Sequence, residues 1–522
     1  MESLHSRMAD ESLGSSDDNS TDSDIIPDIL ESVMHTQLQI MRLEYLNSSR
    51  NTFPRIRPCP PNTTILKESE YYELTKKACS IISPKRRPLK RLSKNVASLI
   101  CNRETGVYPT TNFSYANKCY VNNKYIPNHV SIIDNTVGRM FCGIYSSDGK
   151  YLLTACQDRY IRLYCAEDGS YRQLKSLRAQ DFGWSIIDVA FSPDRNNFVY
   201  TSWSNAIYLC SVHDEENTQE ALTFLDMGRR FCIFSVVFSS DGKELLGGAN
   251  DGNIYIYDRE QHVQSLKISA HEYDVNSVVF ADDSSKIIYS GGDDGLVRVW
   301  DRRTMDDSRP QHVGCLAGHM DGVTHVDSRR DGRHLISNSK DQSIKLWDVR
   351  KFSSETAAMS TIKTAQEQTW DYRWHGVPKK LFGKNNKIDG DTSIMTYREH
   401  VVTKTLIRCR FSPVETTGQR FIYTGCGMGR IIVYDSLTGK VQQNINGHTA
   451  CVRDVYWHPY RNEIVSSGWD GVVGKWQYRD PEYCDYLEDD INEKEYFHNI
   501  TTTPLRRSQR LADKRSTQNN DS

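Results

Sequence analysis

No run of about 18 apolar residues occurs in this 522-residue chain, which at the level of sequence excludes a membrane-spanning helix. Its first twenty residues, MESLHSRMADESLGSSDDNS, lack the apolar core of a secretory signal and are too acidic for a transit peptide. None of the fourteen cysteines belongs to a CxxC pair, so zinc is not expected. They stand singly, mostly in apolar strand patterns, as at Cys156, Cys210 and Cys426, in the manner of reduced, packed thiols of the nucleus or cytosol. A P-loop, a dinucleotide fingerprint and an HExxH helix are all missing, and no cofactor is expected. Net charge is only −2, which argues against bulk binding of nucleic acid.

What the chain has is a repeat. In 335–350, LISNSKDQSIKLWDVR, an apolar strand breaks at a turn closed by Asp341, and a second strand alternates inward and outward to Trp347-Asp348. Ser337 lies ten residues before Trp347 and Asp341 six before, with Gly318-His319 upstream. That spacing is similar to a WD repeat, four strands forming one propeller blade. One blade cannot bury its own faces, so copies are required. The positions equivalent to Trp347 are Tyr164, Cys210, Tyr257, Trp300, Tyr434 and Trp476. Successive separations are 46, 47, 43, 47, 87 and 42 residues. Seven copies fit, predicting an all-β, seven-bladed propeller over 121–480, with a strand near 121–133 completing the last blade. The wide gap predicts an insertion, 352–400, between blades five and six. Trp370-Asp371-Tyr372-Arg373 within it looks like a blade ending but follows no alternating strand, and reads as a chance match.

Around the propeller, 1–24 is a Ser- and acid-rich stretch expected to be disordered. Residues 25–46 predict an amphipathic helix with Leu30, Met34, Leu38, Met41 and Tyr45 on one stripe. That stripe docks on this chain's own ring or enters a partner's groove. Residues 47–120 read as an irregular linker with a short helix at 67–82 and a basic run at 85–94, a nuclear localisation signal or a solvated face. The 481–522 tail, acidic then basic, is expected to be disordered.

Three polar sets recur: His271, Ser290, Asp294 and Trp300; His319, Ser337, Asp341 and Trp347; His448, Ser466, Asp470 and Trp476. Ser, His and Asp together suggest a hydrolase. Three copies, each tied to an indole N–H, are instead what blade stabilisation requires, and a nucleophile needs an oxyanion site in an open cleft. No catalytic residue and no enzyme are expected.

The Trp-Asp-x-Arg endings carry a further message. Residues 335–350, and 288–303 (IYSGGDDGLVRVWDRR), resemble the sixteen-residue box of the WD-repeat substrate receptors of cullin-4 RING ubiquitin ligases. They depart from it at Asn338, and at Tyr289 and Arg302. The resemblance implies a non-catalytic receptor that bridges the ligase adaptor, and through it cullin-4, to a target marked for proteasomal degradation. It implies that Asp341, Trp347 and Asp348 position Arg350, that Asp294, Trp300 and Asp301 position Arg303, and that both arginines emerge on the underside. Arginine suits this role because its planar fork makes bidentate contacts and desolvates more readily than lysine. The alternative is an arginine that only pairs with its own blade's Asp. Likeness extends through GWSIIDVAF (183–191), LGGANDG (246–252), TLIRCRFSP (405–413) and ACVRDVYWHP (450–459). It implies residence in nucleus and cytoplasm and, as target, a cap-and-collar bZIP transcription factor of the oxidative stress response. A WD40 scaffold of a nuclear complex, without a ligase, is the rival reading.

At the opposite face, Trp203 and Trp469 precede turn positions, with Trp184, Arg139, Arg230, Arg408 and Arg453 near the inner-strand entrances. Exposed Trp and Arg concentrate binding energy, so this mouth is expected to take a short acidic, partly apolar peptide of the target. The alternative pairs several of these arginines with Asp188, Asp274 or Asp454 to hold adjacent blades together.

Overall fold

A computed structural model describes residues 61–81, 96–105, 113–214, 216–224, 231–307, 310–383 and 387–480. The 1–24 stretch, the 25–46 helix, the 85–94 basic run and the 481–522 tail lie outside the described residues. Among the described residues twenty-eight strands form seven four-stranded antiparallel sheets, so the chain is a seven-bladed β-propeller. Six sheets take their strands consecutively. The seventh joins Val452–Trp457, Glu463–Gly468 and Val472–Gln477 to the first strand of all, His129–Asn135, which pairs antiparallel with Val472–Gln477. This strand closes the ring, slightly later in sequence than the predicted 121–133. Thr136 N–H donates to the Gly471 carbonyl at 2.8 Å beside it, and Gly471 holds a φ of +86° with no room for a Cβ against Thr136.

Burial follows position within the blade. The third strand of blade five, Ser343–Asp348, is buried along its whole length, sheathed by neighbours on both faces. The outer strand Val263–Ser269 alternates between exposed and covered residues. Apolar side chains interlock between blades, as where Ile336, Ile344 and Leu346 of blade five meet Cys409, Phe411, Ile422 and Ile432 of blade six.

The 352–400 segment departs from expectation. Residues 352–394 lie inside blade five, between its third strand and the outer strand Met395–Tyr397, which falls within the predicted insertion and pairs Leu346 with Met395 and Ile344 with Tyr397. Three residues are too few to display an alternating pattern, so the strand was invisible to periodicity. The segment also carries the helix Glu355–Gln366. Trp370-Asp371-Tyr372-Arg373 is in a loop and ends no blade. The 47–120 region is more regular than expected where described, with helices Thr64–Glu68, Glu70–Ala78, Val96–Glu104 and Tyr115–Asn122.

Near the axis the blades are cross-tied by charge. Arg408, which leads into blade six, reaches Asp188 of blade two at 2.5 Å and Asp454 of blade seven at 3.2 Å, and all three are buried. Arg410 adds a 2.7 Å bond to Asp454. Arg453 donates to the carbonyls of Phe141 (2.6 Å) and Ile187 (3.0 Å), stitching blade seven to blades one and two. The carboxylates also accept backbone N–H groups, Val236 on Asp188 and Gly143 on Asp454. A cavity of about 780 Å³ adjoins them, lined by Asp188, Arg408, Arg410, His325, Asp327 and Tyr456 among others. Burial disfavours the Arg408 charge, but Asp188 and Asp454 outweigh it and raise its pKa. Removing one partner of such a pair leaves charge buried without compensation. Arg408→Met is expected to destabilise the ring by roughly 3–5 kcal/mol, read as a lower urea midpoint against wild type.

Candidate functional site

In a four-stranded antiparallel meander, the first-to-second and third-to-fourth connections lie at one end, and the second-to-third and blade-to-blade connections at the other. Trp300-Asp301 and Trp347-Asp348 end third strands, so the residues after them lie on the first of these faces, the underside.

Each polar set forms one hydrogen-bonded chain from the mouth-side turn into the blade. His319 Nδ1 lies 3.0 Å from Asp341, its Nε2 lies 2.7 Å from Ser337 Oγ, and the Trp347 indole donates to the same Oγ at 2.7 Å. The corresponding distances are 2.9, 2.8 and 2.9 Å for His271, Asp294, Ser290 and Trp300, and 3.0, 2.7 and 2.7 Å for His448, Asp470, Ser466 and Trp476. All three serine side chains are fully buried, each bound to an indole, so no substrate carbonyl reaches them. Burial works to raise the Asp341 pKa, yet the adjoining His319 ring holds it far below the carboxylate range. The sets lock the third strand, and with it Asp301 and Asp348, to the second.

Those two aspartates orient the arginines. Arg303 donates through Nε (2.9 Å) and Nη2 (2.6 Å) to both oxygens of Asp301, while its side chain stays 66% exposed. The Arg303 bonds draw the Asp301 carboxyl down to about 2. Arg350 makes the same fork on Asp348, at 3.3 and 3.2 Å, and stays 58% exposed. Thus each guanidinium pairs with its own blade's acid and still presents itself to solvent. Arg302, beside Arg303, turns instead onto Glu244 of blade three. The departures from the box are also accommodated. Tyr289 is fully buried between blades, and Asn338 bridges onward, donating to the Ile407 carbonyl at 2.9 Å and lying 2.9 Å from His400 Nε2.

At the mouth the expected residues separate. Arg408 and Arg453 are not surface groups there. The axial acids and carbonyls take them up, because a guanidinium beside the narrow inner strands finds partners closer than solvent does. Arg230 lies outside the described residues. The remaining four hold the rim. Trp184 is 48% exposed and meets Phe141 edge-on at 5.6 Å. Phe141 packs on Trp469 at 5.7 Å, and the Arg139 guanidinium lies 4.6 Å over Trp469. Trp203, half-buried, packs edge-on to Phe234 at 6.0 Å. The indole N–H groups of Trp203 and Trp469 are enclosed without an acceptor among the described residues.

Several contributors carried no sequence signal. The blade-five insertion climbs to the mouth: Gln368 Nε2 donates to the Met320 carbonyl, the Trp370 indole to Asp321 at 2.8 Å, and Lys340, paired with Asp293 at 2.7 Å, lies 4.3 Å over Tyr372. This anchored turn presents Trp374, 71% exposed. On the underside Arg333 and Glu70 join Arg350, Glu70 lying 263 residues before Arg333 in the chain. Among the described residues no cluster of His, Cys, Asp and Glu has the makings of a metal site.

His400, bonded to Asn338 and to the Tyr434 hydroxyl, is pushed by burial down to about 3, and His458, packed on Tyr145, is pushed down to about 4. Both titrate lower in the folded chain than unfolded, so between about pH 6.5 and pH 4 the unfolded state binds more protons. Stability is therefore lost as pH falls through that window. Each histidine contributes on the order of 2 kcal/mol between pH 7 and 5. Urea midpoints at the two pH values check this, and His400→Asn should flatten the slope.

Five segments match the family described as WD domain, G-beta repeat: 129–165, 224–258, 261–301, 310–348 and 439–477. The chain is 42% identical over 396 residues to the "DDB1- and CUL4-associated factor 11 homolog" of Caenorhabditis elegans, covering 74% of this chain and 69% of that protein. It is 39% identical over 403 residues to the protein so named in Caenorhabditis briggsae, covering 74% and 72% respectively. The "LEC14B protein" of Lithospermum erythrorhizon is 39% identical over 400 residues, covering 74% of this chain and 83% of that one.

Proposed function

This chain belongs to the WD-repeat family of the DDB1- and CUL4-associated factor 11 homologs, and from that membership we propose that it is a substrate receptor of a cullin-4 ubiquitin ligase. It binds DDB1 as the adaptor on one face and a target on the other, and leaves transfer of ubiquitin to other subunits. The observation that supports this most directly is the matched pair Arg303 and Arg350. Equivalent positions of adjacent blades hold two guanidinium groups in the same fork on the same face, each more than half exposed. A binding partner meets them already oriented, so little side-chain freedom is lost on association. Proximity is the receptor's contribution to the reaction, since holding a target lysine near the loaded enzyme turns a bimolecular step into an intramolecular one.

The target, in this reading, is held at the mouth by Trp184, Trp203, Trp469 and Arg139. The family resemblance favours a cap-and-collar bZIP transcription factor, engaged in nucleus and cytoplasm. Aromatic side chains that are large, partly exposed and braced from behind suit the apolar positions of such a segment, and Arg139 suits an acid beside them.

The underside reading is tested by co-purification of DDB1. An Arg303→Ala/Arg350→Ala double variant should retain its fold and lose most of the adaptor; a platform without a ligase would show no adaptor or no sensitivity. The mouth reading is tested separately with a recombinant cap-and-collar bZIP protein. Trp184→Ala/Trp469→Ala should weaken its binding roughly ten-fold or more with DDB1 binding unchanged, and equal affinity for variant and wild type would refute it.

A further inference from the structure

Arg303 and Arg350 share a motif, yet their surroundings differ. Among the described residues Arg303 pairs with one acid, Asp301. Arg350 belongs to a closed circuit of four charges. Asp348 binds Arg350 Nη2 at 3.2 Å and Arg333 Nη2 at 2.9 Å; Glu70 Oε2 in turn lies 2.5 Å from Arg333 Nη1 and 3.5 Å from Arg350 Nη2. Carboxylates and guanidinium groups alternate around it, so each cation lies between two anions. Glu70 comes from outside the propeller, at the start of the helix Glu70–Ala78.

That helix is fixed where it stands. Ser69 caps it, accepting from Tyr72 N–H, with Glu70 and Glu73 in the first turn and Lys76 and Lys77 in the last. Its next residue, Tyr71, is fully buried, edge-on to His334 at 5.3 Å and beneath the Arg329 guanidinium at 4.5 Å. With Tyr71 inserted between ring residues, Glu70 is held at the rim beside blade five. Leu74, one turn along on the same helical face, is exposed.

We propose that Glu70 is a positioning residue for Arg350, so that the helix Glu70–Ala78 orients one of the two underside guanidinium groups without itself touching the partner. The inference rests on the underside reading above. Without Glu70, Arg333 and Arg350 both depend on Asp348 alone, and their like charges push the more exposed one, Arg350, off its fork. A single exposed ion pair contributes little to folding. Its effect here falls on binding, where a guanidinium already oriented loses less freedom on association.

The test is a double-mutant cycle on the full chain with purified DDB1, measured by titration calorimetry alongside thermal unfolding. Glu70→Ala should weaken binding about five-fold with the unfolding temperature unchanged. In an Arg350→Ala background it should add nothing; in an Arg303→Ala background its effect should multiply in full. Equal losses in both backgrounds would mean that Glu70 acts independently of Arg350, by direct contact or through the fold, and would overturn the positioning role. No loss from Glu70→Ala, where Arg350→Ala does weaken binding, would overturn the positioning role. If neither arginine variant weakens binding, the underside reading fails and takes this inference with it.

Discussion

Two buried carboxylates, Asp188 and Asp454, carry the geometry of the ring. Each accepts a backbone N–H from the neighbouring blade and the Arg408 guanidinium from blade six, so five of the seven blades meet through these groups near the axis. Burying three charges is costly, and their mutual attraction offsets that cost only when the geometry is met closely. A ring with one blade more or fewer would place these groups at other distances. The apolar faces between blades supply most of the driving force but are tolerant of angle, whereas a 2.5 Å ion pair is not. The charge cluster therefore selects among closures that hydrophobic packing alone would permit.

The same contrast between permissive packing and directed polar contact runs outward to the faces. Within blades four, five and seven the His–Asp–Ser–Trp chains fix the third strand against the second. In blades four and five that strand ends in the aspartate that holds an arginine toward solvent. The exposed guanidinium groups are thus the last members of polar chains that start at the mouth-side turns and cross the blade. A rigid support of this kind is what separates an oriented arginine from an ordinary surface one.

What could be read from the chain, and what could not, divides by the sequence distance between partners. Ser337, Asp341 and Trp347 lie within ten residues, and the strand period dictates their meeting, so the tetrads and the blade count were legible. Arg408 and Arg453 were placed correctly along the chain but not by environment, since periodicity does not say whether a residue at a strand entrance meets solvent or an acid from across the ring. The outer strand of blade five, Met395–Tyr397, was hidden by its three-residue length. Glu70 and Arg333 could not be paired, because nothing local to either marks a contact spanning 263 residues. Tyr71, which fixes that contact, reads in sequence as one half of an ordinary Tyr-Tyr pair.

Closure through His129–Asn135 also has a bearing on biosynthesis. The strand's hydrogen-bonding partner, Val472–Gln477, leaves the ribosome some 340 residues later, which at ordinary elongation rates is roughly 20 to 70 s. Over that interval blades one to six emerge in turn as a growing open arc whose terminal sheet edges are unsatisfied, and such edges recruit strands from any chain nearby. The nascent protein thus has a long period of vulnerability set by its topology, during which shielding by a chaperone would decide yield more than the finished ring's stability does.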